Sequence, residues 1–486
     1  MSGAARLPFE EVLRGCGDGP LELLSQICSG PLLAAFTIFR DGDARRFGAS
    51  GDEIYRDFCG LLRGHGLAAF FVEYPELARL ADLCSSDWRD AHRELLLRAD
   101  ADFGEEKVVN LERSLSDRHG GRTVMGVTFA SGRKRAYKPR DMGLEVCYFR
   151  LLDWLSTQGA PIEQRVVGIV ERAGYGWAEW VEHEPCRDES EVRDYFTRAG
   201  ALQCLFYVLH ATDAHMGNVL AARGYPVLVD AECLLQPRRF GDEGDAEQEA
   251  LEELLSAGFL PRPKIGRGSA DFSGLGGDGG EGTEFRVPMW SAVNTDAMSL
   301  RFVPGVLLSQ NNAPIVAGAR AEVRNYSAEF LAGFEGMYRF VVDRRARLLE
   351  REGPLEAMFS AQARVLLRST REYVAILNRS LHPRYLRDGA RRVEMLREWV
   401  RRDSLELSAE ILDQEATALG NLNIPYFSAA AGEVALRADG GVSRPEYFDV
   451  AGREMVAGRV REMSEANLQG LLGSLKSLLT LLSLAV

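Results

Sequence analysis

The sequence has 486 residues, of which 46% are hydrophobic and 27% are charged. This length and composition are typical of a folded globular protein with about three domain-sized units, and they exclude an isolated small module and a disordered chain. The net charge of −13 has the wrong sign for a protein that coats nucleic acid, so no nucleic-acid partner is expected.

The sequence also favours a reducing compartment. No run of about 18 uncharged apolar residues is present, and the N-terminal segment lacks the apolar core of a signal peptide, so neither a membrane span nor secretion is expected. Eight cysteines occur at positions 16, 28, 59, 84, 147, 186, 204 and 233. They are too sparse and irregular for a disulfide scaffold, which predicts reduced thiols, mostly in the core of a cytoplasmic protein.

The predicted elements divide the chain into four segments. Residues 1–112 show leucines at helical spacing and are predicted to form a helical cap. Segment 113–235 is predicted as the α+β core. Its predicted elements are strands at 124–130 and 133–139 joined by Ser131-Gly132, a helix at 142–156, strands at 166–170 and 177–182, a helix at 191–210, and a hairpin of 218–222 with 226–230.

The remaining two segments differ in composition. Residues 236–300 combine an acidic run at 241–253 with eight glycines between 266 and 282, which predicts a long, mobile insertion. Residues 301–486 are predicted to be a helical lobe that ends in a docked helix rather than a membrane anchor. Its leucines on one helical face are Leu468, Leu471, Leu472, Leu475, Leu479 and Leu482.

The residues most informative about chemistry lie in the segment TDAHMGNVLAARGYPVLVDAE. Asp213 and Asn218 follow a predicted helix, and Asp230 ends a predicted strand. Phosphoryl transfer from ATP needs a carboxylate beside the acceptor hydroxyl, an Asn and an Asp on Mg²⁺, and a lysine on the phosphates, which Lys138 at a strand end would supply. The Asp-x-His-x-x-Asn order, with His215, resembles the corresponding loop of lipid kinases. Each residue alone has an ordinary structural interpretation, but their order and spacing favour a kinase-type site.

Two further features surround this set. The segment RSLSDRHGGR stands where a kinase has its Gly-rich loop, but it keeps only Gly120 and Gly121 of that pattern. Asp117 and His119 occupy its predicted tip, where charged groups indicate chemistry beyond covering phosphates, although a polar turn would have the same composition. Glu145, on the helix after Lys138, is the predicted ion-pair partner of that lysine.

Motifs that resemble one enzyme family run along most of the chain. In chain order they are FFVEYPELARL (70–80), SDRHGGRTV (116–124), YKPR (137–140), YGWAEWV (175–181), TDAHMGN (212–218), VLVDAE (227–232), NNAP (311–314), RVLLRSTREY (364–373), SLHP (380–383) and IPYF (424–427). With these motifs the chain resembles the N-terminal dehydratase region of the class II lanthipeptide synthetases, which convert Ser and Thr of a ribosomal precursor peptide into dehydroamino acids.

The resemblance implies a fold and an activity. The fold would be α+β, with a lipid-kinase-like bilobal core, a mainly helical N-terminal cap and helical C-terminal and activation elements. The enzyme would phosphorylate Ser or Thr of a leader-bearing precursor peptide with ATP and Mg²⁺, and would then eliminate phosphate to give dehydroalanine or dehydrobutyrine. The location implied is the bacterial cytoplasm.

The resemblance also implies roles for individual residues. The kinase site would contain Lys138, Asp213, His215, Asn218, Asp230 and Glu232, joined by Asp117 and His119. Lys138 would hold nucleotide phosphates, Asn218 and Asp230 would ligate Mg²⁺ with Glu232 nearby, and Asp213 would orient or deprotonate the hydroxyl. Arg364 and Thr370 match the Arg and Thr that this family uses for elimination, and a guanidinium suits a phosphate leaving group.

The sequence departs from the family pattern in two places. Asn423 stands where an Asp is expected before Ile-Pro-Tyr-Phe. The zinc-dependent cyclase half of the full synthetases is not matched: no Cys follows Cys233 and His382 alone follows His215 among the histidines, so no zinc site is expected. The expectation is a dehydratase without cyclase activity, served by a separate cyclase or tailoring enzyme. The alternatives are a kinase that stops at the phosphorylated product and a non-catalytic kinase-like scaffold.

Overall fold

The computed structural model describes residues 7–15, 20–42, 51–240, 246–262, 270–276, 280–307, 311–402, 407–438 and 443–484. The fold is mixed α+β, with about half of the residues in helices and several small antiparallel sheets. Mixed α+β character is therefore confirmed.

The elements are numbered in chain order. The helices are α1 (Glu10–Leu13), α2 (Leu21–Asp41), α3 (Glu53–Leu61), α4 (Leu67–Glu73), α5 (Pro75–Phe103), α6 (Gly143–Thr157), α7 (Glu189–Val208), α8 (Ala246–Ser256), α9 (Ser327–Leu348), α10 (Pro354–Phe359), α11 (Thr370–Ser380), α12 (Pro383–Leu386), α13 (Gly389–Arg402), α14 (Ala409–Gly420), α15 (Gly452–Glu462) and α16 (Glu465–Leu484). The strands are β1 (Val108–Ser114), β2 (Met125–Phe129), β3 (Lys134–Lys138), β4 (Ile169–Arg172), β5 (Tyr175–Glu179), β6 (Val219–Ala222), β7 (Tyr225–Leu228), β8 (Arg238–Arg239), β9 (Gly280–Ser291), β10 (Ser299–Leu307), β11 (Ile315–Val316), β12 (Ala319–Arg320), β13 (Gln362–Val365), β14 (Phe427–Ala430), β15 (Leu436–Ala438), β16 (Ser443–Arg444) and β17 (Phe448–Val450).

The chain forms two compact units. The first contains Met1–Arg133, Arg286–Val303 and Leu367–Pro425, and the second contains Lys134–Phe285, Pro304–Leu366 and Tyr426–Val486. Each unit is therefore assembled from segments that are distant in the sequence. The four-segment division expected from composition remains a prediction.

The first unit is mainly helical and has its own hydrophobic core. Side chains of α2 and α3 pack with side chains of α11, α13 and α14 in one buried cluster. Phe9, Phe36, Tyr55 and Phe58 form an aromatic centre in it, with ring centroids 5.4–6.2 Å apart. The antiparallel pair β1 and β2 completes the unit, with two register irregularities.

Among the residues that the structure describes, α2 alone is long and apolar enough to cross a membrane by length and composition. Leu24, Ile27 and Leu32 of α2 are buried in the core of the first unit, and Pro31 lies inside the helix. A buried core helix passes the same length and composition criteria as a membrane span.

A buried ion pair links α14 to the segment before α11 in the first unit. Glu415 is fully buried, and its carboxylate accepts from Arg368 Nε at 2.9 Å and from the Tyr373 hydroxyl at 2.6 Å. Arg368 also donates to the Val400 carbonyl. Removing one partner of such a pair leaves an uncompensated charge in a medium of low dielectric constant.

We therefore expect Arg368→Met to lower the free energy of unfolding by about 3–5 kcal/mol. The matched control is Arg397→Met, because Arg397 pairs with Asp413 at 3.1 Å where both side chains are about half exposed. The control substitution should lower the free energy of unfolding by less than about 1 kcal/mol. Urea unfolding followed by circular dichroism measures both changes, and equal losses in the two variants would contradict the structural role of Arg368.

The second unit combines a three-stranded antiparallel group, in the order β3-β5-β4, with packed helices. Its central helices α7 and α9 approach closely at two glycines. A Cβ atom on Gly200 would lie 1.8 Å from the Phe330 carbonyl oxygen, and one on Gly333 would lie 1.8 Å from that of Thr197. No larger residue fits at either position without separating the helices.

Most local elements expected from the sequence are present. The helices predicted at 142–156 and 191–210 are α6 and α7, and the small hairpin is β6 with β7. The predicted C-terminal helix is α16, which buries Leu468, Leu471, Leu472, Leu475, Leu478 and Leu479. The seven described cysteines form no disulfide and six of them are buried, as expected, while Cys16 lies outside the described residues.

The expected insertion at 236–300 contains regular structure. Helix α8 buries Leu254 and Leu255, and the long strands β9 and β10 pair in a two-stranded sheet. Parts of the acidic run and of the glycine-rich run, at 241–245, 263–269 and 277–279, lie outside the described residues.

Candidate active site

The β3–α6 connection of the second unit positions Lys138 and Glu145. Lys138 is the last residue of β3, where it pairs with Gly176 of β5, and Glu145 lies in the first turn of α6. A carboxylate is favoured at this end by the helix dipole. The predicted ion pair is present, with Lys138 Nζ 2.5 Å from Glu145 Oε1 and both side chains almost fully buried.

The β6–β7 hairpin positions Asn218 and Asp230. Val219 pairs with Leu228, so the residue before β6 and the residues after β7 meet at one end of the hairpin. The Val229 N–H donates to the Asn218 carbonyl at 2.9 Å, and the Val229 carbonyl accepts from Lys138 Nζ at 2.7 Å. Asp230 Oδ1 lies 4.0 Å from the same lysine. The hairpin therefore brings the Asn, the Asp and the Lys together.

Asp213 lies on the loop that follows α7. Its backbone φ angle is 65°, a left-handed conformation that Asp and Asn tolerate better than most residues. Asn218 Nδ2 donates to the Asp213 carbonyl at 2.8 Å. His215 Nδ1 accepts the Gly217 N–H at 2.9 Å, so the neutral ring carries its proton on Nε2, which is 3.7 Å from Asp213 Oδ1.

Arg140 joins three carboxylates of this site. Its Nη2 is 2.7 Å from Asp230 Oδ1 and 3.1 Å from Glu145 Oε1, and its Nε is 3.0 Å from Glu232 Oε2. Glu232 also accepts from Arg364 Nη1 at 2.6 Å, and the Arg364 backbone N–H donates to the Glu232 carbonyl at 2.7 Å. One continuous network therefore connects Lys138 with Arg364.

The surroundings shift the pKa values of Asp213 and Asp230 in opposite directions. Burial raises the pKa of Asp213 to about 6, and the charges of Asp230 and Glu232 add to this effect. Burial also disfavours the charged form of Asp230, but Arg140 and then Lys138 outweigh it and hold the pKa of Asp230 well below its usual range. Divergent pKa values of neighbouring carboxyl groups are characteristic of sites that separate a base from an electrostatic group.

The raised pKa of Asp213 predicts a specific pH dependence of stability. Between the unfolded pKa of 3.8 and the folded pKa of about 6 the folded chain binds more protons than the unfolded chain, so stability falls as the pH rises through this window. Relative to the Asp213→Asn variant, the free energy of unfolding of wild type should fall by on the order of 2 kcal/mol between pH 4 and pH 7. Urea unfolding at several pH values measures this difference, and a flat difference would contradict burial of the carboxyl group.

In the first unit, the loop between β1 and β2 holds Asp117 and His119. Asp117 is exposed. His119 and Arg122 exchange backbone hydrogen bonds of 2.9 Å in both directions, which closes a tight turn. His119 Nδ1 is 2.8 Å from the Ile424 carbonyl, and because a carbonyl only accepts, Nδ1 carries the proton.

Asn423, the departure from the family pattern, contacts this turn. Its Oδ1 accepts the Gly121 N–H at 2.9 Å. Gly121 has φ 79, and a Cβ atom there would lie 2.8 Å from the Asp87 carboxylate, so glycine is required. An aspartate at position 423 would offer the same acceptor, so the substitution keeps this contact.

The motif RVLLRSTREY is divided between the units. Arg364 lies on β13 in the second unit, whereas Arg368 and Thr370 belong to the first. Thr370 is the first residue of α11, whose N-cap Ser369 accepts the Glu372 N–H. In the second unit, the structure therefore gathers Lys138, Glu145, Asp213, His215, Asn218, Asp230, Glu232 and Arg364; Asp117, His119 and Thr370 are positioned within the first.

Three residues of the second unit lie in the motifs named above, but the sequence suggested no role for them. Arg140 lies in the motif YKPR and Tyr426 in IPYF, where the Arg364 guanidinium is 5.3 Å from the Tyr426 ring centre. Asn312, in NNAP, is fully buried and donates to the carbonyls of Gly274 and Gly276. The motifs YKPR, IPYF and NNAP were the signal in the sequence that could have pointed to these residues.

Some side chains of this site are of the types that ligate a divalent cation. Among the described residues, no three His, Cys, Asp or Glu side chains are grouped so as to hold a metal by themselves. Mg²⁺ in nucleotide sites does not require this, since one or two carboxylates share it with phosphates and water. Asp230 and Glu232 supply two carboxylates, and Asn218 lies at the same end of the hairpin as Asp230. These residue types form a donor set of that kind.

Comparison with known proteins places most of this chain in one family. The model of the "Domain of unknown function (DUF4135)" family matches residues 74–430, well over half of the chain. The chain belongs to the DUF4135 family. All of the predicted site residues lie within the DUF4135 segment.

This DUF4135 protein is also similar to a curated biosynthesis protein. Over 347 residues the chain is 24% identical to the lacticin 481/lactococcin biosynthesis protein LcnDR2 of Lactococcus lactis subsp. lactis, covering 67% of this chain and 36% of the relative. The chain is thus distantly related to a lantibiotic biosynthesis protein, and it spans about a third of that protein's length.

Proposed function

We propose that this protein is a lanthipeptide dehydratase, which phosphorylates Ser and Thr of a ribosomal precursor peptide and then eliminates the phosphate. The observation that carries the proposal is the buried Lys138–Glu145 pair beside Asp230, with Asp213 and Asn218 at the same end of the hairpin. These are the residue types that phosphoryl transfer uses, in the chain order of kinase-type sites. The distant relationship to a lantibiotic biosynthesis protein supports the peptide substrate.

In the first half-reaction, each residue acts according to its surroundings. Lys138, held by Glu145, binds nucleotide phosphates, and Asp213 accepts the proton of the substrate hydroxyl. Its raised pKa of about 6 still leaves it mostly ionised at neutral pH and makes it a better base than an ordinary aspartate. Asn218, Asp230 and Glu232 would hold Mg²⁺, which would neutralise charge on the phosphates.

In the second half-reaction, the phosphate leaves the substrate. A base removes the Cα proton, the Cα–Cβ double bond forms, and the Cβ–O bond breaks with release of phosphate. Arg364 binds the leaving phosphate through its guanidinium group. Burial disfavours its charge, but Glu232 holds the pKa of Arg364 above its ordinary value, so the group remains cationic. By resemblance, Thr370 belongs to this step, and Asp117 and His119 join the kinase step.

Mass spectrometry of a peptide substrate tests the proposal. The peptide to incubate with ATP and Mg²⁺ would be a short one encoded beside the gene for this chain and carrying Ser, Thr and Cys in its C-terminal half. Dehydration removes about 18 Da per site, a kinase that stops early adds about 80 Da, and a scaffold changes nothing, as follows from the masses of water and the phosphoryl group. Only the loss of water agrees with the proposal.

A further inference from the structure

Arg140 occupies a central position in the network although no role follows for it from the proposed reaction. Its side chain is 18% exposed and touches Glu145, Asp230 and Glu232 at 2.7–3.2 Å. A guanidinium group that spans separate carboxylates in this way uses the fork geometry that lysine cannot reproduce. Arg140 therefore fixes two of the proposed cation ligands at once.

Arg140 is one of three cations that contact this group of carboxylates. Three cations, Lys138, Arg140 and Arg364, contact the three carboxylates of Glu145, Asp230 and Glu232. Without Arg140, two cations would face three carboxylates, and the nearest remaining cation to Asp230 would be Lys138 at 4.0 Å. A divalent cation added at Asp230 and Glu232 would lie directly against the guanidinium charge of Arg140.

We propose that Arg140 is a built-in competitor of the divalent cation: its guanidinium and the cation use the same carboxylates, Asp230 and Glu232, so that the cation binds only as Arg140 withdraws. The identity of the cation as part of a nucleotide site rests on the proposed function. A phosphate group would assist the exchange, because an arginine released from carboxylates is a strong phosphate ligand. Cation binding is thereby coupled to the arrival of nucleotide.

Binding of Mn²⁺ alone, measured by the loss of the free-ion signal in electron paramagnetic resonance, tests this proposal. In the absence of nucleotide, Arg140→Met should bind Mn²⁺ more tightly than wild type, with a Kd lower by on the order of tenfold or more, because one positive charge has been removed beside the ligands. The matched control is Arg459→Met. Arg459 is also a buried arginine of the second unit, but its partners are Glu253 and the Tyr207 carbonyl. The control should bind Mn²⁺ as wild type does.

A second variant covers the case in which Arg140→Met does not fold. Arg140→Lys keeps the charge but cannot span both carboxylates, so its Mn²⁺ affinity should lie between those of wild type and Arg140→Met. If the folded variants show no gain over wild type, the competition is ruled out. Wild type with Mn²⁺ and a non-hydrolysable ATP analogue separates the two proposals. If wild type binds Mn²⁺ in this mixture but the variants show no gain in Mn²⁺ affinity, only the role of Arg140 is contradicted. If wild type binds no Mn²⁺ in this mixture, the proposed function is contradicted.

Discussion

Lys138→Met is expected to abolish phosphorylation of the peptide, lowering its rate by at least about a hundredfold, and dehydration is expected to disappear with it. Lys138 provides the buried ammonium group between Glu145 and Asp230, and methionine fills a similar volume without charge. Glu145 keeps Arg140 as a partner at 3.1 Å, so the fold should persist. Peptide mass spectra over time and circular dichroism of the variant measure these two outcomes.

Lys134→Met is the matched control for this experiment. Lys134 lies on the same strand, β3, but its ammonium group pairs at 3.3 Å with the exposed Glu182. This variant should dehydrate the peptide at the wild-type rate. Normal dehydration by a folded Lys138→Met protein, with ATP as the phosphoryl donor, would remove Lys138 from the site.

Arg364→Ala is expected to separate the two half-reactions, so that peptide carrying about 80 Da per site accumulates as the phosphorylated intermediate. In the proposed reaction the guanidinium binds the leaving phosphate, and in the structure it contacts Glu232 at 2.6 Å. Glu232 retains Arg140 at 3.0 Å in the variant. Mass spectrometry over time should show a phosphopeptide that persists long after wild type has completed dehydration.

Two comparisons sharpen this second experiment. Arg364→Lys keeps the charge but loses bidentate binding, so it should eliminate phosphate more slowly than wild type and faster than the alanine variant. Arg437→Ala, which removes an exposed arginine paired with Glu433 at 2.6 Å, should dehydrate the peptide normally. Unmodified peptide from Arg364→Ala would place Arg364 in the first half-reaction, and complete dehydration would remove it from both.

Local sequence patterns predicted the elements that carry the site. Lys138 ends a strand and Glu145, seven residues later, lies in the first turn of the next helix, so their pairing requires only a short connection. Asn218 and Asp230 flank a hairpin whose turn residues are evident in the sequence. In both cases the geometry is set by residues within about a dozen positions of each other, where periodicity and turn chemistry are informative.

What the sequence could not predict depends on contacts between distant segments. Arg140 resembles an ordinary charged residue after a strand, and its burial results from Asp230, 90 residues away. The pair of Arg368 and Glu415 has a separation of 47 residues and no local signature. The opposite pKa values of Asp213 and Asp230 likewise arise from burial and from several charges that converge only in the folded chain.

The proposed function requires the cluster around Lys138 to bind a nucleotide together with a divalent cation. Isothermal titration calorimetry with a non-hydrolysable ATP analogue and Mg²⁺ tests it without knowledge of the peptide. Wild type and Lys134→Met should bind one nucleotide per chain with a Kd between about 1 μM and 1 mM, in the usual range for enzyme substrates. Lys138→Met should bind at least about tenfold more weakly, because it loses a charged phosphate ligand. Absence of nucleotide binding by wild type, or equal nucleotide binding by folded Lys138→Met, would contradict a nucleotide site at Lys138.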